Sequence, residues 1–166
     1  MKKLLLIFLI LFPQILFSQK KQPEGNPIFI SGTEGYSTFR IPALATTNSG
    51  RILAFAEGRV NSSSDTGNID LVMRSSDDGG KSWSPLEVIW DDNENVCGNP
   101  APVVDRTTGT IYLLMTWNLG EDHESEIIAQ TSKDTRRVFL SSSNDEGQNW
   151  SKPQEITSSV KLTNWT

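Results

Sequence analysis

Ser76-Asp77-Asp78-Gly79-Gly80-Lys81-Ser82-Trp83 and Ser143-Asn144-Asp145-Glu146-Gly147-Gln148-Asn149-Trp150 share the pattern S-x-D-x-G-x-x-W at an offset of 67 residues. Each residue type has a turn-forming reason to be there. The Asp carboxylate accepts hydrogen bonds from nearby backbone N–H groups, as in an Asx turn. The Gly takes positive φ at little steric cost. The Trp offers a large apolar face to neighbouring strands. The motif is an Asp box. Ser76, Asp78, Gly80 and Trp83, with Ser143, Asp145, Gly147 and Trp150, are therefore read as structural residues of two equivalent turns, not as catalysts. Asn144-Asp145-Glu146-Gly147 resembles part of a calcium loop but lacks the later bidentate Glu of an EF-hand.

A second matched pair lies upstream of the boxes. Gly50-Arg51-Ile52-Leu53-Ala54-Phe55-Ala56 aligns with Gly109-Thr110-Ile111-Tyr112-Leu113-Leu114-Met115 at an offset of 59. Each follows a run containing Pro, Ile41-Pro42-Ala43-Leu44 and Ala101-Pro102-Val103-Val104. The difference between the two offsets gives the second unit about eight extra residues, in the polar loop 119–136. Strand-like runs are expected at 39–46, 51–57, 69–75, 83–90, 101–105, 110–117, 137–142 and 150–156, separated by Gly, Asn, Asp and Ser, and no stretch has a long helical period. Two units of four short strands, each with the box at its last turn, form the pattern of a β-propeller. The expected fold class is all-β.

Composition narrows the function. The chain has 166 residues, with 15 Lys and Arg against 20 Asp and Glu, a net charge of −5. This argues against a nucleic-acid partner, which needs a basic patch. With 36% hydrophobic and 21% charged residues, it is neither an acidic disordered chain nor a coiled coil. A single Cys, Cys97, and a single His, His123, exclude an intrachain disulfide and a Cys/His zinc site. Cys97 reads as a small packing residue and His123, in Glu121-Asp122-His123-Glu124, as a solvated loop residue. No Ser/His/Asp triad and no Gly-rich phosphate loop is supported. The acidic run Asp91-Asp92-Asn93-Glu94 reads as a solvated turn between the units. No metal or other cofactor is expected.

The N-terminus reads separately. Lys2 and Lys3, the apolar run 4–12 and the stretch from Pro13 to Ser18 form a secretory signal peptide, 1–18, with cleavage near Ser18–Gln19. The apolar run is shorter than the roughly 20 residues a spanning helix needs. A periplasmic or secreted location follows, with no stable membrane insertion after cleavage. Residues 19–35 read as a polar lead-in with one short strand at 28–30, and 36–166 as the folded part.

Three ionisable residues stand outside the boxes. Arg40 lies in Phe39-Arg40-Ile41-Pro42, an apolar strand start where a charge is costly unless it is paired or serves a ligand. Arg59 ends the run Ala54-Phe55-Ala56-Glu57-Gly58. Asp65 lies in the loop Asn61-Ser62-Ser63-Ser64-Asp65-Thr66-Gly67. Singly, each fits an ion-pair partner or an ordinary loop charge. Together they resemble the bacterial sialidases, or exo-neuraminidases. The resemblance runs from Tyr36 to Thr166. It rests on Phe-Arg-Ile-Pro at 39–42, the spacing of Arg59 and Asp65, Ile69-Asp70-Leu71-Val72 leading into the first box, and the second box. The Asp box alone is shared with many unrelated propellers; the Phe-Arg-Ile-Pro motif with Arg and Asp at this spacing is more specific.

The resemblance implies a six-bladed propeller of which this chain covers about the first two blades. It implies that Arg40 is the first of three Arg gripping the sialic acid carboxylate, for which a planar guanidinium is suited. Arg59 would contact a ring hydroxyl, Asp65 would be the general acid and later the base, and Asn99, in Gly98-Asn99-Pro100, would hold sugar substituents. Glu57 is a candidate charge partner for either Arg, with no role assigned. The partners implied are sialylated glycans: glycoproteins, glycolipids such as gangliosides, and oligosaccharides. The implied reaction is hydrolysis of a terminal α-linked sialic acid with retention, through a Tyr nucleophile, because the anomeric carbon bears a carboxylate that repels an anionic one. The family's Tyr, its Glu and two further Arg normally lie further along, and neither Tyr36 nor Tyr112 has the right context. The chain therefore reads as an N-terminal fragment, inactive by itself. A non-catalytic carbohydrate-binding propeller, a glycosidase for neutral sugars and a trans-sialidase remain open.

Overall fold

In the computed structural model, residues 25–162, 164 and 165 are described; the expected signal peptide lies outside them. The first unit comprises β1 (Thr38–Thr46), β2 (Ile52–Arg59), β3 (Ile69–Ser76) and β4 (Glu87–Trp90), and the second β5 (Val96–Val104), β6 (Ile111–Asn118), β7 (Arg137–Ser143) and β8 (Gln154–Glu155). Within each unit consecutive strands pair antiparallel. The units join through one parallel bridge, Ile69 to Val96. The fold is all-β, in two four-stranded repeats, as expected.

Several boundaries differ from the sequence reading. The runs 83–90 and 150–156 shrink to β4 and β8. Pro85 and Pro153 lack the N–H a ladder needs, and the residues before them complete the box turns, with Ser84 and Ser151 donating to the Ser75 and Ser142 carbonyls. No strand forms at 28–30, where the chain bends before an isolated bridge between Thr33 and Tyr36. Two short helices were not anticipated: α1 (Glu124–Ala129), in the extra loop of the second unit, and α2 (Thr157–Val160). Glu126 reaches back to the His123 N–H at 3.0 Å, one half of a capping box.

The two boxes share their internal wiring except at one N–H: that of Gln148 donates to the Asp145 carbonyl at 3.3 Å, where its counterpart Lys81 donates to the Asp78 carboxylate. Ser76 Oγ donates to Asp78 Oδ1 at 2.8 Å, and the Gly80, Lys81 and Ser82 N–H groups donate into the turn at 2.9 Å each. Ser143, Asp145, Gly147 and Asn149 repeat this at matching distances. Hydrogen bonds from Ser82 and Asn149, side chain first, hold the carboxyls of Asp78 and Asp145 well below the usual range. The second box also clamps the first unit: Glu146 accepts from Ser49, and the Trp150 ring meets Phe55 edge-on at 5.8 Å. Gly147 has φ +82°, and a Cβ there would lie 2.7 Å from Leu53 Cδ1. Leu53 is fully buried, so its methyls can move only by repacking the core. Gly147→Ala is therefore expected to cost about 2–4 kcal/mol, overpacking added to the left-handed backbone. Gly80→Ala, at φ +85° but 3.7 Å from Trp83, should cost only the backbone share, about 1–2 kcal/mol. Urea midpoints of the two variants check the difference.

The main core lies between the units, where Leu53, Phe55, Leu71 and Met73 meet Ile111, Leu113 and Met115. Alternation along the strands sends Ala56 and Val72 to the other face, where Tyr36 packs with Phe29 of the lead-in and Phe39 of β1. On that face the Tyr36 hydroxyl donates to Asp70 Oδ2 at 2.7 Å, while Asp70 Oδ1 is buried with no partner. Burial pushes the Asp70 carboxyl up to about 6, the Tyr36 hydrogen bond opposing and the nearby Asp91 adding to the rise. An acid whose folded pKa is raised holds more protons folded than unfolded. Stability from Asp70 is thus full below about pH 4 and declines as pH rises through about 6. Asp70→Asn keeps an acceptor for Tyr36 and removes the titration. It should be more stable than the parent by about 1–3 kcal/mol at pH 7.5, with the gain vanishing near pH 4. Thermal unfolding across that range checks it.

Candidate functional site

Both inner strands carry a bulge at the end facing the site. In β1 the register slips between Arg40 and Ala43, and in β5 between Gly98 and Ala101. The extra residues are Ile41 at φ 53° and Asn99 at φ 52°, each followed by Pro. The structural equivalents are thus Ile41-Pro42-Ala43 and Asn99-Pro100-Ala101, and Pro102 of the second Pro-containing run lies two residues beyond the equivalent Pro. Asn tolerates left-handed backbone, whereas a β-branched Ile there, before Pro, is strained. A bulge re-aims its neighbours, and here the neighbour is Arg40.

Arg40, Arg59, Asp65 and Asn99, the four residues singled out from sequence, line one cleft of about 250 Å³ with Glu57, Asn118, Glu124 and Arg136. Arg59 is the anchor. Its side chain and that of Glu57 are each 3% exposed and form an ion pair at 2.6 Å. Arg59 Nη1 donates to the Ser63 and Ser64 carbonyls at 2.7 Å each, and Nη2 lies 2.7 Å from Asp65 Oδ1. The guanidinium thus fastens the Asp65 loop from beneath. Arg40 Nη1 donates to Asp65 Oδ1 at 3.1 Å and to the Ser63 carbonyl at 3.2 Å. Arg40 and Asp65 are 43% and 55% exposed. Among the described residues, no protein acceptor is paired with Arg40 Nε or Nη2, and Asp65 Oδ2 has no donor. The cleft therefore presents one free guanidinium edge beside one free carboxylate oxygen, above a saturated ion pair.

Glu57 ties the two units together. Its Oε2 accepts from Arg59 Nε at 3.1 Å and Nη2 at 2.6 Å, and its Oε1 accepts from the Asn99 N–H at 3.0 Å. Residue 98 must be Gly for this, since a Cβ would lie 2.3 Å from Glu57 Oε1. Asn99 Nδ2 donates one of its two hydrogens to Thr116 Oγ1 at 2.7 Å. Among the described residues, no group of three or more His, Cys, Asp or Glu is placed to hold a metal ion.

The BNR repeat-like domain model matches residues 50–165. The chain belongs to the BNR repeat-like domain family. This BNR repeat chain is 36% identical over 158 residues to an exo-alpha-sialidase of Aspergillus fumigatus, covering 85% of the chain and 39% of that protein. It is 31% identical to a sialidase of Bacteroides fragilis, covering 81% of the chain and 27% of that protein. A solved structure, a Hadza microbial sialidase, superposes with a TM-score of 0.67 at 31% identity, covering 77% of the chain and 28% of its own. The sialidase resemblance thus extends to fungal as well as bacterial proteins, and the chain spans about two fifths or less of these relatives.

Of the BNR repeat chain's cleft residues, sequence reasoning left Glu57 without a role and missed Asn118, Glu124 and Arg136. The Glu57-x-Arg59 spacing was a usable signal, because i and i+2 share one face of a strand. The acidic turn 91–94 is also more than solvated: Asp92 accepts from Trp117 Nε1 at 2.7 Å and Asn95 Nδ2 at 2.8 Å. Arg59 is occupied by protein acceptors, so its first task here is holding Asp65.

Proposed function

We propose that this chain contributes the acid and the first carboxylate-binding arginine of an exo-α-sialidase, which hydrolyses terminal α-linked sialic acid from glycoproteins, glycolipids and oligosaccharides with retention. The observation that carries it is the free edge of Arg40 directly beside the free oxygen of Asp65, whose loop is fastened by the Arg59–Glu57 pair. A planar edge of that kind accepts a carboxylate bidentately. The substrate carboxylate then shares Arg40 with Asp65, which places the glycosidic bond beside the acid. Asp65 gives its proton to the glycosidic oxygen as that bond breaks. It later takes a proton from the water that cleaves the intermediate.

The nucleophile comes from sequence outside these 166 residues. Neither Tyr lines the cleft: Tyr36 is buried against Asp70 and Tyr112 lies in β6. The 166 residues alone are expected to release no sialic acid. The test is the complete reading frame incubated with an α-linked sialoside and followed by NMR from the first turnover. Release of the α anomer supports the reading; release of the β anomer first, or no release, contradicts it.

A further inference from the structure

The β2–β3 and β6–β7 loops are equivalent in the repeat, since Arg59 closes β2 as Asn118 closes β6. The first carries Asp65; the second, longer one carries α1. They are tied together, the Gly67 N–H donating to the Gly120 carbonyl at 2.7 Å. Contact is tight enough that a Cβ at residue 120 would lie 1.7 Å from the Glu94 carbonyl oxygen and 3.1 Å from that of Gly67. The second loop sends two side chains into the cleft, Glu124 from the first turn of α1 and Arg136 from just before β7.

Neither side chain is used fully by the protein. Arg136 Nη1 and Glu124 Oε1 stand 3.7 Å apart, beyond hydrogen-bond length. Arg136 Nε is buried without a partner. Lys161 adds a second cation behind it, donating to the Arg136 carbonyl at 2.7 Å. Burial and the Arg136 charge hold the Lys161 ammonium below its ordinary pKa. Sugar hydroxyls both donate and accept, so vicinal hydroxyls fit a carboxylate set beside a guanidinium.

We propose that Glu124 and Arg136 form a leaving-group subsite, holding hydroxyls of the sugar to which the terminal residue is attached. This rests on the sialidase reading: the acid stands beside the glycosidic oxygen, so the loop hydrogen-bonded to the Asp65 loop borders the departing sugar. The experiment is the ratio of kcat/KM for sialyllactose to that for an aryl sialoside, which carries no second sugar. It uses the complete reading frame with Glu124→Gln and Arg136→Gln, and melting temperatures recorded alongside. Each variant is expected to lower the ratio at least tenfold. A ratio within twofold of the parent in both variants overturns the subsite, whatever their absolute rates. A parent that hydrolyses neither substrate overturns the sialidase reading itself, and the subsite with it.

Discussion

Asp65→Asn in the complete reading frame is expected to lower kcat on an alkyl sialoside by about 10²–10⁴-fold, the usual worth of a positioned general acid. The loss on an aryl sialoside should be much smaller in the bond-breaking step, because a phenolate-like leaving group departs without a proton. The Asn side chain keeps an oxygen where Arg59 and Arg40 now hold Oδ1, at 2.7 and 3.1 Å, so the loop geometry survives the change. Pre-steady-state rates on the two substrates separate the possibilities. An equal loss on both would make Asp65 a binding residue and leave the acid unassigned.

Glu57→Ala carries the second large effect, on stability and activity together. It leaves the Arg59 guanidinium, 3% exposed, with Asp65 as its remaining carboxylate partner. Breaking a buried pair from one side costs about 3–5 kcal/mol. It also removes the acceptor for the Asn99 N–H and loosens the join between β2 and β5. Glu57→Gln retains the shape and an acceptor, and should cost less, about 1–3 kcal/mol. The added expectation is kinetic. Measured well below the melting temperature, kcat should still fall, since Arg59 no longer sits squarely under Ser63, Ser64 and Asp65. Full kcat at low temperature in the Ala variant would make Glu57 a stability residue only.

Much of this was legible in the sequence because repetition exposes itself. The two boxes fixed the third turn of each unit, and the mismatch between the offsets of 59 and 67 located the enlarged loop before its structure was known. Arg40, Arg59 and Asp65 could be grouped because a motif carried them. What was hidden depends on register and contact. The bulges at Ile41 and Asn99 shift β1 and β5 by one residue against their partners, and no alternation pattern announces a left-handed Ile. The bond from Glu57 to the Asn99 N–H joins residues 42 apart, through a gap that only Gly98 permits. Helix α1 buries a single side chain, Ile127, too little apolar periodicity to mark a helix. Glu124 of that helix and Arg136, from just before β7, line the cleft, and the tie between Gly67 and Gly120 is visible only once the loops meet.

The most direct test of the whole site is whether Arg40 reads a carboxylate. Inhibition by 2,3-unsaturated sialic acid and by its methyl ester, which lacks the charge, should be compared in the parent and in Arg40→Gln. Charge-assisted hydrogen bonds of about 1.5–3 kcal/mol correspond to a preference for the free acid of roughly 10- to 150-fold from this residue. The expected result is that Arg40→Gln reduces the acid-over-ester preference at least tenfold. An undiminished preference in that variant would contradict the assignment of this cleft as the carboxylate site.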